Sequence, residues 1–200
     1  MPALRSLTGP TAETAPFPPT DLTGFLRCCE GSWMSLRSRF DLSGVTDAEP
    51  AQVAADATDA AADAEASGES WHQSERGELE VRFVADDAEG APGGLVSHPA
   101  GGSAQRLRFQ ADGQFEAGEL EAMASGATGG TAIRRGSWTL WPDGSLELSM
   151  DHGNHRISER IWFTKPNLRL RSTVEQHADG TAGRASFSSE IRRVSRPAAG

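Results

Sequence analysis

With 200 residues, 37 % of them apolar, and a formal charge of −9, the chain has room for one domain around a single substantial core, not for two. No apolar run approaches the roughly 18 residues of a membrane-spanning helix. The N-terminus reaches proline-rich sequence without the apolar stretch of a secretory signal, so a cytoplasmic protein without membrane insertion is expected.

The charge is unevenly spread. Residues 47–69 hold seven acids and no Lys or Arg, which leaves −2 for the rest of the chain, whereas residues 131–196 hold eleven Lys or Arg against seven Asp or Glu. Lys165 is the only lysine in that basic part. Guanidinium groups favour planar recognition of carboxylate or phosphate over diffuse attraction to a polyanion. No basic stripe with interleaved aromatics is present, so a nucleic-acid partner is not expected. Cys28 and Cys29 are the only cysteines. Adjacent thiols rarely bond to each other, and two thiols without a nearby histidine make no zinc site. Inert thiols in a reducing compartment, and no metal, are expected.

Residues 1–19, with Pro2, Pro10, Pro16, Pro18 and Pro19, bury too little apolar area to order themselves and read as a disordered tail. Thr20 or Asp21 can then cap a short helix with Leu22, Phe25, Leu26 and Cys29 at helical spacing and Gly31 just past its end. Residues 32–42 read as a strand with Trp33, Ser35, Arg37 and Arg39 on one face and Met34, Leu36, Ser38 and Phe40 on the other. Residues 43–68, rich in Ala and Asp, lack an apolar stripe and are expected to form a solvated insertion, helical or disordered. Ordered chain resumes at 71–75, and 78–84 alternates with Leu79, Val81 and Phe83 inward.

A Gly/Pro/Asp loop is expected over 86–104. Short strands follow on both sides of the Asp112-Gly113 turn, then a glycine-rich connection over 124–130. Residues 137–150 read as a hairpin with Pro142, Asp143 and Gly144 in its turn. The densest stretch comes next, ERIWFTKPNLRLRSTV at 159–174, followed by ASFSSEIRRV at 185–194. Pro166-Asn167 breaks the first run, and beyond it Leu168 and Leu170 alternate with Arg169 and Arg171. The total is eight to ten short antiparallel strands after one helix. Such a set best avoids exposed edges by closing into an up-and-down barrel able to hold one small ligand, with a sandwich as the alternative. The domain is expected over 20–195, with 196–200 a C-terminal tail.

Pattern alone leaves the arginines ambiguous. An alternating Leu/Arg strand more often turns its leucines inward, and buried guanidinium groups need anions. Glu159 by itself reads as a plain salt bridge to Arg160 or Arg169, and Trp33 and Trp162 read equally well as core residues.

The runs ERIWFTKPNLRLRST and ASFSSEIRRV closely resemble the C-terminal signature of the S-type (CpcS/CpeS) phycobiliprotein chromophore lyases. GSWMSLRS at 31–38 resembles that family's GxWxSxRT opening, and WHQSERGELEVRFV at 71–84 its KQSExGxSxIxVxxL strand pair. The chain departs from the family where Phe40-Asp41 stands in place of a histidine pair, at the acidic segment 43–68, and in a glycine-rich middle region.

The resemblance implies an all-β, lipocalin-like antiparallel barrel of 8–10 strands with a short N-terminal helix. It implies a lyase that joins an open-chain bilin, phycocyanobilin or phycoerythrobilin, by a thioether to a cysteine of a phycobiliprotein α or β subunit. A partner lyase or a homodimer belongs to the same expectation, and the bilin is substrate rather than permanent cofactor. Glu159 matches the catalytic carboxylate, Arg169 and Arg171 the propionate-binding pair. Trp33 and Trp162 would offer faces to the bilin, and Arg37 a further carboxylate contact. Asn167 is grouped with the bilin-binding residues as a motif position, and Ser189 and Glu190 are motif positions without a physical role. A non-catalytic carrier of a tetrapyrrole or hydrophobic acid is the alternative.

Overall fold

The computed structural model describes residues 16–43, 72–87, 90–125 and 133–194. A helix, α1 (Leu22–Cys29), leads into β1 (Gly31–Asp41), β2 (His72–Val84), β3 (Gly93–Pro99), β4 (Gln105–Phe109) and β5 (Gln114–Glu119). A short helix α2 (Leu120–Ser125) precedes β6 (Arg134–Leu140), β7 (Leu146–His152), β8 (His155–Lys165), β9 (Leu168–His177) and β10 (Ala182–Arg192). Each strand pairs antiparallel with its sequence neighbours, and β10 pairs with β1, so the meander closes into a ten-stranded barrel. The expected barrel, with its N-terminal helix, is the observed architecture, and the sandwich is excluded.

Two local readings are corrected. The expected loop over 86–104 contains β3, because its glycines serve close packing rather than a turn. A Cβ on Gly94 would collide with the Leu107 carbonyl of β4, and Gly93 has φ 96°. The strand expected after the Asp112-Gly113 turn ends in α2 instead of continuing through 122. The insertion 43–68, apart from residue 43, and the terminal segments 1–15 and 196–200 lie outside the described residues. Residues 16–19, read with the tail, pack on the barrel: Pro19 is buried, Pro18 lies against Gly144, and Phe17 meets Phe163 edge-on at 6.1 Å.

Helix α1 closes one end. Asp21 is its N-cap, accepting from the Gly24 N–H at 2.8 Å. Leu22, Phe25, Leu26 and Cys29 form its buried stripe, with Phe25 against Phe163 at 5.3 Å. Arg192 of β10 donates to the carbonyls of Cys28 and Glu30 and so satisfies the helix C-terminus from the barrel wall. At the other end, β1, β2, β9 and β10 meet around an open mouth.

The barrel's interior is divided. Leu95, Phe109, Phe115, Leu146, Leu148 and Met150 of β3, β4, β5 and β7 line an apolar wall. The opposite wall, from β9, β10 and β1, turns polar side chains inward: Arg169 and Arg171, Ser188 and Glu190, Arg37 and Arg39. Because neighbours along a strand point to opposite faces, these three strands put apolar residues outside. Met34, Leu36, Val174, Phe187 and Ile191 are all exposed. Met34 stands opposite Ile191, and Ile191 opposite Leu168, in one continuous outer row.

Candidate functional site

β8 and β9 form a hairpin across Pro166-Asn167, and their register fixes which side chains share the interior. Glu159 lies opposite Thr173, Ile161 opposite Arg171 and Phe163 opposite Arg169, with a shift in register between Phe163 and Lys165 next to the turn. Reading inward from the mouth, β9 presents Glu175, Thr173, Arg171 and Arg169. Both arginines point into the barrel, as the resemblance implied and pattern alone did not.

Arg169 is fully buried. Its Nε donates to Glu190 Oε2 at 2.5 Å, and its guanidinium lies 4.6 Å from the ring centre of Trp33. Its Nη2 is buried with no hydrogen-bond acceptor. Burial works against the charge on Glu190. The positive charges of Arg171 and Arg169, the Arg169 hydrogen bond and Arg37 outweigh it and hold the carboxyl below its ordinary range. Arg169 is therefore committed to an internal counter-ion.

Nearer the mouth, Arg171 Nε stands 2.9 Å from Glu159 Oε1, with 22 % and 18 % of the two side chains exposed. The Nε–H is not aligned on that oxygen as a hydrogen bond, so an oriented donor remains open beside the ion pair. Burial opposes the charge on Arg171, but Glu159 and then Glu190 outweigh it and raise its pKa. Arg37 donates from Nε to Ser188 Oγ at 3.2 Å. Burial, followed by the charges of Arg171 and Arg39, lowers its pKa. Below the mouth residues Arg39 and Glu175, the interior thus holds the guanidinium groups of Arg37, Arg169 and Arg171 and the carboxylates of Glu159 and Glu190.

The structure brings together Glu159, Arg169, Arg171 and Arg37, and sets three other expected residues apart. Trp33 is fully buried, donates Nε1–H to the Cys29 carbonyl at 2.9 Å, and carries the guanidinium groups of Arg169 and Arg192 at 4.6 and 4.3 Å over its ring. It is part of the floor of the site, not a free stacking face. Trp162 takes the parity opposite to Ile161 and Phe163. It lies on the outer surface opposite Leu170, with its ring 6.2 Å from that of Phe187. Asn167 sits in the turn at the closed end, where its carbonyl accepts from the Arg192 N–H at 3.0 Å. Neither Trp162 nor Asn167 joins the interior group.

Glu190, a motif position whose role the sequence reading left unassigned, and Ser188, which that reading did not single out, face the interior, whereas Ser189, also left unassigned, takes the outward parity. The alternation of ASFSSEIR was the available signal, since it sets Ser186, Ser188 and Glu190 on one face and Phe187, Ser189 and Ile191 on the other. Burial first, and the neighbouring Cys29, push the Cys28 thiol up; burial pushes up the Cys29 thiol despite Arg169. Both shifts disfavour the thiolate form.

A cavity of about 470 Å³ opens at the mouth, lined by Arg39, Gln73, Ile157, Thr173, Glu175 and Arg184 among others. That volume lies in the range of small-molecule sites. Ile157 and Thr173 immediately precede Glu159 and Arg171 on the inward faces of β8 and β9, so the cavity leads toward the ion pair.

Residues 106–193 match the family model described as CpeS-like protein. A chromophore lyase CpcS/CpeS 1 of Paulinella chromatophora is 37 % identical over 186 residues, covering 92 % of this chain and 94 % of the relative. A chromophore lyase CpcS/CpeS 1 of Synechocystis sp. is 40 % identical over 63 residues, about a third of each chain. The solved structure of the S-type phycobiliprotein lyase CPES from Guillardia theta superposes with a TM-score of 0.51 at 18 % identity, over 86 % of this chain and 92 % of that one. At that identity the superposition speaks for the barrel fold alone.

Proposed function

The chain belongs to the CpcS/CpeS chromophore lyase family, and we propose that it holds an open-chain bilin in the mouth and interior of the barrel and catalyses its attachment to a cysteine of a phycobiliprotein subunit. One observation carries the site assignment. The Glu159–Arg171 pair lies next inward from Ile157 and Thr173 of the cavity lining, partly exposed, with an aligned hydrogen bond lacking on the arginine side. Such a pair can open to receive a ligand bearing both N–H donors and carboxylates, which the Arg169–Glu190 pair, sealed below it, cannot.

In the proposed reaction the acceptor thiolate adds to the exocyclic ethylidene carbon of ring A. A C–S bond forms, the π electrons of the ethylidene double bond move into the tetrapyrrole, and the thiol's proton ends on the tetrapyrrole; nothing leaves. The chain supplies no nucleophile. Glu159 would accept hydrogen bonds from pyrrole N–H groups and favour the cationic tetrapyrrole as the thiolate adds. Arg171, released from Glu159, would pair with a propionate, the bidentate geometry that guanidinium groups suit. The bilin is phycocyanobilin or phycoerythrobilin and the acceptor an α or β subunit, in the cytoplasm of a cell that makes phycobiliproteins.

Co-expression with bilin-synthesis enzymes and separate acceptor subunits tests this. Covalent colour that stays on the acid-denatured acceptor is the expected result. Colour confined to this chain would make it a carrier, and no colour on either would remove the bilin altogether.

A further inference from the structure

The acceptor in the proposed reaction is a protein, so its sulfur can meet the bilin only at the open mouth of the barrel; α1 closes the other end. A free thiol is only a few per cent ionised at pH 7, so the sulfur that adds to ring A has to give its proton to a base near that mouth. Glu159 stands beside Arg171 and four residues further in than the start of β8, ~13 Å along the strand. Carboxylates are also weak bases for a thiol, with ordinary values about four units below it, whereas an imidazole lies within about two.

The mouth holds such an imidazole. His155 opens β8 on the same inward face as Ile157 and Glu159, opposite His177 of β9. Its Nδ1 is buried 3.2 Å from Glu175 Oε1 without an aligned hydrogen bond, and 33 % and 29 % of the two side chains are exposed. Catalytic hydrogen bonds are often poorly aligned until the substrate arrives. Glu175 lines the cavity that leads toward Glu159 and Arg171. His155 lines a second recess, of about 610 Å³, on the rim between the β7–β8 and β9–β10 turns, with Gly153, Asn154 and Gly180 among its walls. The pair therefore stands between the space assigned to the bilin and a recess on the outer rim. The other acid of the cavity, Asp41, spends its carboxylate on the Ser43 N–H and hydroxyl.

We propose that His155, backed by Glu175, is the base that takes the proton from the acceptor's cysteine. With Nδ1–H turned to Glu175, Nε2 is left to receive that proton, and the carboxylate compensates the charge the ring gains. The S–H proton passes to Nε2, and the C–S bond forms as the ethylidene π pair moves into the tetrapyrrole. The tetrapyrrole takes up one proton from water, to which His155 returns its own, and nothing leaves. Two further titrating groups face His155: His177, with its ring 4.5 Å away, and His152, paired with it across the β7–β8 turn. Arg184 of β10 lies on the cavity with Glu175, while Asp151 and Arg156 pair with each other on the outward parity.

This inference rests on the bilin-lyase reading, and the experiment separates the two. The chain, preloaded with phycocyanobilin, is mixed with excess apo-phycobiliprotein subunit, and single-turnover transfer is followed by absorbance across about pH 6.5 to 9.5. The proteins compared are the parent, His155→Gln, Glu175→Gln and His152→Gln/His177→Gln. Because the base only supplies thiolate, its gain is bounded at about thirtyfold at pH 7 and fades above the thiol's ordinary value of about 8.5. His155→Gln should transfer about tenfold more slowly at pH 7, come within about twofold of the parent at the alkaline end, and recover with added imidazole. Glu175→Gln should show a smaller loss with the same trend. Phycocyanobilin affinity should stay within about twofold throughout. A His155→Gln deficit that is absent, that persists undiminished at high pH, that follows an equal loss of affinity, or that His152→Gln/His177→Gln matches overturns the base and leaves the lyase reading in place. A parent chain that binds no bilin, or transfers none, overturns both. His155 lies on the rim, partly exposed, and unchanged thermal unfolding of the variants checks that the barrel is intact.

Discussion

Arg169 and Glu190 meet at 2.5 Å inside the barrel, with 1 % and 3 % of their side chains exposed. They come from adjacent strands at directly paired positions, so the register of β9 against β10 and this ion pair require each other. Removing one partner leaves a buried charge without compensation. Arg169→Ala or Glu190→Gln should cost about 3–5 kcal/mol in urea unfolding. Replacing both by leucine should recover part of that loss. The pH dependence carries a sign. Because the folded Glu190 carboxyl is held below its ordinary range, its contribution is present above the unfolded carboxylate value and lost as pH falls through the folded one. The parent should lose stability on acidification below about pH 4 more steeply than Glu190→Gln.

Glu159→Gln separates chemistry from binding. The amide can still accept a hydrogen bond but cannot support a cationic tetrapyrrole, so single-turnover transfer should slow by about 10²-fold or more. Equilibrium bilin binding should change by less than about fivefold. Equal losses in transfer and affinity would reassign Glu159 from catalysis to binding.

The two tryptophans test side-chain parity. Trp33 is fully buried beneath two guanidinium groups, so Trp33→Ala should destabilise by about 3–5 kcal/mol. Trp162 lies on the outer wall, and Trp162→Ala should cost about 1 kcal/mol or less and leave bilin affinity unchanged. A strong effect of Trp162→Ala on affinity would place the ligand outside the barrel.

Native thiols should be slow to react. Cys29 is buried with its pKa raised, and Cys28 is half-buried and also raised. A thiol-specific chromogenic reagent at neutral pH should label Cys29 only on unfolding and Cys28 slowly before it. Cys28→Ser/Cys29→Ala should still transfer bilin to an acceptor, because the reacting sulfur belongs to the acceptor. Loss of transfer in a folded double variant would give this chain a covalent role.

Much of the fold was legible in short stretches. The helix from Asp21, the strand over 78–84 and the hairpin at Pro142 to Gly144 follow from capping, alternation and turn chemistry, which are local. β3 was hidden because its paired glycines signalled a loop; only the approach of the Leu107 carbonyl to Gly94 shows what the missing side chain allows. The site was half-legible. The Leu168 to Arg171 alternation established that both arginines share a face, and the motif match turned that face inward. It did not distinguish Arg169, sealed against Glu190, from Arg171, exchangeable with Glu159.

By itself the sequence determined an antiparallel set of eight to ten strands, the closure expected of such an edge-free set, and the family resemblance, because strand period and motif are properties of neighbouring residues. Tertiary structure decided which face of β9, β10 and β1 is the inside, and with it the fate of every side chain there. Period-two alternation constrains two faces equally and names neither. The choice falls when the barrel closes, because Arg169 can be buried only where Glu190 of the next strand meets it, and that places Trp162 and Phe187 outside.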